Sequence, residues 1–429
     1  MAEAAQHTHL FAKVDPETVR CPYPTYSHLR EEHPVLWLED IGAFAVSRYD
    51  DVMSVLKRAD IFSSARQTGP GAATNLAKRV AADPSFDPQV REWAARRVAI
   101  AENAPVLVSA DPPKHSRQRR LLNRTFSPGR VAELVPGIQE LADQLIDAFA
   151  SRGSAELMSE LALPLPMTVI TRALGIEGMV DQGTLKRWSD SFVRANGNPA
   201  LSVEQITELF SSMIQAYDFF TEQLESRHRH ATDDLLNDVA HAKLGDEELT
   251  FNEQLQISTL LMIAGNETTT SLIGSAMLML LRDREMFERL RGDATLIEPF
   301  AEEALRLEPP TQGLFRIATI DTEVGGTTIP AGSFVWLLYG SGNRDDRAFA
   351  APEDVALDRV DGRPHLSFGG GAHFCMGSNL ARAEARIAIE TLLRRLPDLA
   401  LAPEEKGDQW FPSLVQHGLS RLNVTFSPA

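Results

Sequence analysis

From about Asn252 to Arg282 the chain reads as one long apolar helix. At 1.5 Å per residue it spans on the order of 45 Å, enough to cross a whole domain. Whatever this chain folds into is built around that rod. Its centre breaks the apolar pattern with Ala264-Gly265-Asn266-Glu267-Thr268-Thr269. Gly265 lowers helix stability, and Glu267 would be costly if buried unpaired. A carboxylate and a polar run at mid-depth also argue against a membrane span. Local rule-breaking of this kind is expected at a functional site. Small residues let a flat ligand approach the backbone, an alcohol can donate to it, and an acid can supply protons through water. The plainer alternative for Thr268 is a hydroxyl bonded back to the preceding turn.

A second constraint lies further on, at Phe368-Gly369-Gly370-Gly371-Ala372-His373-Phe374-Cys375-Met376-Gly377, followed by a helical pattern through Glu384. Glycines allow positive φ and close backbone approach, so the loop can wrap tightly around Cys375. The helix that follows points its first N–H groups back at the sulfur, which favours a thiolate. A lone thiolate suits one axial bond to a large planar cofactor, whereas zinc needs about four ligands. An inert cysteine in a glycine-rich turn is the alternative. The pattern Phe-x-x-Gly-x-x-x-Cys-x-Gly, with His373 two residues before the cysteine, resembles the haem-ligand loop of the cytochrome P-450 family, soluble bacterial type.

That resemblance implies a mainly α fold with a small β region. Haem b lies between the long helix and the cysteine loop, with Cys375 as the axial ligand of the iron and His373 in the cofactor loop. The thiolate pushes electron density to favour O–O cleavage, and Glu267 and Thr268 match the family's acid–alcohol pair for proton delivery. The family often has Asp where this chain has Glu267.

Other motifs occur in the family's order. In Asp111-Pro112-Pro113-Lys114-His115-Ser116-Arg117-Gln118-Arg119, His115 and Arg119 stand four apart on one helical face. Two cationic donors there suit two carboxylates, and the resemblance assigns them, with Arg316, to the haem propionates. Glu303 and Arg306 match a buried Glu-x-x-Arg pair and Arg359 its third member, a structural trio. His365 helps hold the haem loop. Gln312 to Phe315 and Ser413-Leu414-Val415 are expected to line the substrate pocket. Trp188, Phe192 and Phe210 face either substrate or plain core.

The coarser pattern predicts helices at Tyr23–His33, Asp50–Arg58 (capped by Asp50), Leu185–Ala195 and Ile206–His228, the last two around the Asn196-Gly197-Asn198-Pro199 break; the family resemblance implies that this pair forms a lid over the active site. Val131 to Gly175 has helical periodicity. Ser63 to Val108 reads as irregular with some helix. Strands are expected at Val35–Leu38, Ala43–Val46, Arg316–Ile320 and Thr327–Pro330, and a final hairpin from Trp410 to Phe426.

No linker or repeat divides the 429 residues, so one domain, 1–429, is expected, without a fused reductase. A net charge of -17 argues against a nucleic-acid surface. Two cysteines, Cys21 and Cys375, imply no disulfide framework and fit a reducing cytoplasm. No signal-peptide core or membrane anchor is apparent. The expected reaction is O₂-dependent hydroxylation or epoxidation of a small hydrophobic substrate, with electrons passing from NAD(P)H through a reductase and a ferredoxin. Alternatives are a peroxide-driven haem-thiolate oxygenase, which tends to carry Arg-Pro in place of Glu267-Thr268, and a non-catalytic haem sensor. Lys114, Arg117, Arg119, Arg120, Arg124 and Arg130, with Arg382 and Arg386, form a basic cluster that would attract an acidic ferredoxin.

Overall fold

The computed structural model describes residues 16–71, 73–123, 126–195, 201–359, 362–406 and 409–428. Arg124 and the 196–199 break lie outside the described residues.

The long helix runs Phe251–Arg282. It opens with a reciprocal cap: the Thr250 hydroxyl accepts from the Glu253 N–H at 3.3 Å, and Glu253 Oε2 accepts from the Thr250 N–H at 2.9 Å. Each such bond satisfies a donor that the first helical turn leaves free, typically worth about 1 kcal/mol. Two large apolar cores share this central helix, and a smaller one takes in Ile257. Its C-terminal half, Leu272 to Leu280, packs with Pro128–Ala150 and with Ser378–Arg395, the helix after the cysteine loop. Its N-terminal half, at Leu255 and Met262, packs with Ala73–Ala82, Pro88–Asn103 and the lid helices Gln182–Arg194 and Val203–Arg229. The polar stretch 264–271 falls between the two cores. Among the described residues, no helix is long and apolar enough to cross a membrane.

A five-stranded sheet runs in the order Val35–Leu38, Ala43–Val46, Phe334–Leu338, Gly313–Ala318, Phe62–Ser63. The Phe334–Leu338 strand is parallel to Ala43–Val46 and antiparallel to Gly313–Ala318, with Val335 opposite Arg316. This register fixes Arg316 in the interior, where it is 4 % exposed.

Several expectations shift. The 131–175 periodicity is not one helix: a strand, Ser154–Glu156, and a π-helical turn, Met158–Ala162, interrupt it. Gly153 at φ +73° turns the chain, and Glu156 takes the N–H groups of Met158 and Ser159 at 3.1 and 2.8 Å. The 63–108 stretch holds two helices, the second capped by Asp87, whose side chain accepts from the Gln89 N–H. Asp50 is no cap. That helix begins at Tyr49, and its N–H is taken by the distant Asp345 at 2.9 Å. The final hairpin is reduced to a Trp410–Leu419 bridge. The chain beyond it forms a strand, Asn423–Thr425, paired with Ala400–Leu401 and Ser154–Glu156.

Candidate active site

The cysteine loop closes on itself where the Cys375 N–H donates to Phe368 O at 2.9 Å. Gly369 and Gly371 take φ of +69° and +61°. At Gly371 a Cβ would lie 2.3 Å from Leu56 O, so a side chain is excluded twice over. The Gly377 and Ser378 N–H groups, at the start of the following helix, point at the sulfur. Protein surrounds Cys375 on nearly every side, yet the residue keeps an exposed face. Burial pushes its thiol up, outweighing those N–H groups, Arg119 and Arg382. The helix end does not by itself make the thiolate expected from the sequence. A bound metal ion does, because a coordinating thiol is deprotonated outright.

Around this cysteine the fold gathers the four other residues assigned to the cofactor. Arg119 Nη1 donates to Phe374 O at 2.9 Å. His115, 3 % exposed, stacks on His373 with centroids 4.0 Å apart and 29° between planes. His373 Nε2 lies 3.1 Å from Ser64 Oγ. Arg316 donates to Phe315 O at 2.8 Å and lies within charge range of both histidines. Burial, then Arg119, lowers His115 to about 4; burial, then His115, lowers His373 to about 3. Both are neutral at neutral pH, so the cationic role expected of His115 falls to the arginines. Asp111 is already engaged by Ser63 Oγ at 2.5 Å and the Ser64 N–H at 2.7 Å. Among the described residues no carboxylate pairs with Arg119 or Arg316, and His115 Nδ1 is buried without a partner. Two guanidinium groups without a carboxylate partner and an unsatisfied imidazole nitrogen beside one open-faced cysteine fit haem, which brings two carboxylates and a metal.

On the central helix, Thr268 Oγ1 donates to Ala264 O at 2.8 Å, the back-bond that sequence alone allowed. Ala264 is exposed and Thr268 half-buried in a helix otherwise largely closed to solvent. Gly265 does not share that open face. A Cβ there would lie 3.4 Å from Ile170, so its smallness serves contact with the helix Pro164–Ala173. Glu267 is 7 % exposed and turns to the lid helix Gln182–Arg194, with Ser189 Oγ at 3.4 Å and Lys186 Nζ at 3.6 Å. Burial raises its pKa against the pull of Lys186. The acid and the alcohol are neighbours in sequence, but their side chains have different partners.

Glu303 receives Arg306 Nε and Nη2, each at 2.8 Å, and Arg359 Nε and Nη2 at 2.9 and 3.1 Å. Arg306 also donates to the carbonyls of Asn343, Pro352 and Asp354, tying down the segment before the cysteine loop. His365 Nε2 lies 3.2 Å from Glu302 Oε2, and Arg382 clasps the same carboxylate at 2.6 and 2.9 Å. These partners hold Glu302 down at about 2 despite its burial. Trp188, Phe192 and Phe210 belong to the lid-side core. The Gln312 N–H donates to Val415 O at 2.7 Å, so the two expected pocket-lining segments adjoin.

Three participants were missed in the sequence. Lys186 and Ser189 carry no local signal, because their partner is 78 or more residues away. Glu384 does carry one: a carboxylate in the apolar stripe of Leu380, Ile387 and Ala388. It is 2 % exposed, its Oε2 lacks a partner, and it meets Thr269 of the central helix.

The basic cluster is largely paired within the chain. Arg117 bonds Glu253 and Glu248 O; Arg120 pairs with Glu247, Arg130 with Glu133 and Asp233, Arg382 with Glu302, and Arg386 with Glu390. These arginines still face solvent in part, but as members of ion pairs rather than as a patch of unpaired charge.

A sequence model of the family Cytochrome P450 matches residues 68–409. Cytochrome P450 monooxygenase PikC of Streptomyces venezuelae is 34% identical over 416 residues, covering 94% of this chain and 90% of PikC. Cytochrome P450 107B1 of Saccharopolyspora erythraea is 32% identical over 410 residues, 93% of each chain. The solved structure of CYP109Q5 from Chondromyces apiculatus superposes with a TM-score of 0.82 at 34% identity, over 97% of this chain and 98% of that one. A family match across most of the sequence, carried by a fold that CYP109Q5 shares over nearly the whole of both chains, makes this chain a member of the cytochrome P450 family of haem monooxygenases.

Proposed function

We propose that the protein hydroxylates or epoxidises a small hydrophobic molecule with O₂, taking electrons from a separate ferredoxin and its NAD(P)H-dependent reductase in the cytoplasm. The observation that carries the reading is the open-faced Cys375 among Arg119, Arg316, His115 and His373, with no carboxylate among the described residues paired to either arginine. Haem b bound there supplies the oxygen-activating iron. Cys375 ligates the metal. Arg119 and Arg316 hold the two carboxylates, and His115 donates a neutral N–H to one of them. His373 packs on His115 and keeps its ring in place. Ala264 leaves room beside the helix, and Thr268 Oγ1, released from Ala264 O, donates a hydrogen bond into that room. Glu267, with Lys186 and Ser189 beside it, holds a proton on the lid side and passes it inward through water. Glu303, Arg306 and Arg359 act structurally, locking the segment that leads to the cysteine loop.

The test is reconstitution. Purified holoenzyme with a surrogate ferredoxin and reductase should show the thiolate-type Soret band of the reduced carbon-monoxide complex. It should also incorporate one atom of isotopically labelled O₂ into product. Product formed from peroxide alone, with none from the ferredoxin chain, would transfer the protein to the peroxide-driven class. Haem binding without any turnover would make it a sensor.

A further inference from the structure

Arg119 and Arg382 both lie within charge range of the Cys375 sulfur. In the reading above, Arg119 is answered by a carboxylate of the cofactor. Arg382 is answered by the chain itself. It stands in the second turn of the helix Ser378–Arg395, close behind the cysteine. Its guanidinium lies over the Phe368 ring, 4.5 Å from the centroid. Phe368 O accepts the Cys375 N–H, and the Phe368 ring meets Phe374 edge-on at 6.2 Å. The cation is thus packed on the residue that closes the cysteine loop. Glu302 fixes it there: Arg382 Nε donates to Oε1 at 2.6 Å and Nη2 to Oε2 at 2.9 Å, a fork that holds the planar group in one orientation. The same Oε2 lies 3.2 Å from His365 Nε2. His365 Nδ1 accepts the Ser367 N–H at 3.2 Å, so that nitrogen carries no proton and the neutral ring donates Nε2–H to Glu302. Arg382, Glu302 and His365 together therefore sum to zero charge. The neighbouring Glu303, on the same helix Ile297–Leu307, ties down the segment before the loop through Arg306 and Arg359. Glu302 turns instead to the helix after the cysteine.

A thiolate gives less electron density to its metal when an unbalanced cation stands beside it. The charges and hydrogen bonds around a ligand thereby set the potential of the metal. A guanidinium cannot remove its own charge by losing a proton, so the balance has to come from a carboxylate. We propose that Glu302 is a positioning residue for the reduction potential of the iron on Cys375: it cancels the charge of Arg382 and so keeps the sulfur electron-rich. This rests on the haem-thiolate reading above and adds a residue that tunes it. The side chains of Arg382 and Glu302 are 31 % and 35 % exposed, so water screens part of the charge. The expected effect is accordingly a few-fold change in the reduction equilibrium rather than orders of magnitude.

The test is potentiometric titration of substrate-free holoenzyme at fixed pH and ionic strength. Glu302→Gln leaves Arg382 unbalanced and should favour the ferrous form about threefold, or ~30 mV for one electron. Arg382→Gln leaves Glu302 unbalanced and should shift the couple the opposite way. The double variant restores zero charge and should return to within about 1.5-fold of wild type. The C–O stretch of the ferrous carbon-monoxide complex follows the electron density on the sulfur, and should rise in Glu302→Gln. A salt bridge that only braced the two helices would weaken folding or haem retention in all three variants without opposite signs in the potential. Unchanged potentials in both single variants overturn the proposal. So do shifts of one sign in both, or a double variant no nearer to wild type than either. If Glu302→Gln fails to take up haem, Arg382→Gln carries the test, and an unchanged or raised potential there overturns the proposal. The reduced carbon-monoxide spectrum separates the two readings. A wild type without the thiolate band overturns both. If the band is intact throughout and the potentials coincide, only the role of Glu302 fails.

Discussion

Cys375 and Thr268 are single atoms of chemistry held by very different surroundings. The first is fixed by a loop that admits no side chain at Gly371; the second is a rotor parked on Ala264 O. Cys375→Ser should therefore abolish the thiolate-type Soret band of the reduced carbon-monoxide complex, and a variant keeping both that band and activity would remove the ligand assignment. Thr268→Ala should leave haem and substrate binding intact but divert electrons to peroxide. Acid–base groups typically contribute ~10²–10⁴-fold, part of which water can restore here. The measurement is product formed per reduced nicotinamide consumed, and unchanged coupling would dismiss the role of Thr268. Both residues were legible in the sequence because each sits in a short contiguous pattern. The orientation of Glu267 was not, since Lys186 and Ser189 reach it only when the lid helix packs on the central helix.

At the scale of elements, the joint between the central helix and the helix Ser378–Arg395 depends on a neutral acid. Burial lifts Glu384 from an ordinary 4.5 to about 8, with Thr269 as its contact across the joint. The folded pKa is raised, so the advantage of the protonated side chain is full below about pH 4.5. It is lost as pH rises through about 8, because the unfolded chain ionises first. Glu384→Gln does not titrate. Its stability relative to wild type should improve between pH 5 and pH 8, by on the order of a few kcal/mol. Urea midpoints of both proteins at the two pH values measure this, and a pH-independent difference would mean that Glu384 is ionised in the fold. Most helices were legible from apolar period and caps. The 131–175 stretch was not, because its period continues through a π-helical turn whose geometry depends on Glu156 and on a strand from the far end of the chain. The arginine partners were hidden for the same reason: Arg117 reads as a free cation until Glu253, 136 residues away, folds against it.

Over the whole molecule, that pairing changes how electron delivery is tested. Charge reversal at Arg117 would disturb the buried Glu253 that caps the central helix, confounding docking with folding. Lys114, with no partner among the described residues, and Arg120, in a half-exposed pair with Glu247, line the same surface hollow and are the better probes. Lys114→Glu should raise the apparent KM for ferredoxin several-fold at low salt, with substrate affinity unchanged, and reduction should slow steeply as salt is added. Salt-insensitive reduction with normal kinetics in Lys114→Glu would place docking elsewhere. The shared central helix has a consequence of another kind. Because its polar stretch separates two apolar cores, the lid-side core can loosen to admit a guest while the core behind Cys375 stays intact. Amide protons of Val203–Arg229 should then exchange well before those of Ser378–Arg395. Substitutions confined to the lid-side core can change which molecules are accepted without retuning the metal, so breadth of diet and constancy of chemistry are inherited through different halves of one helix.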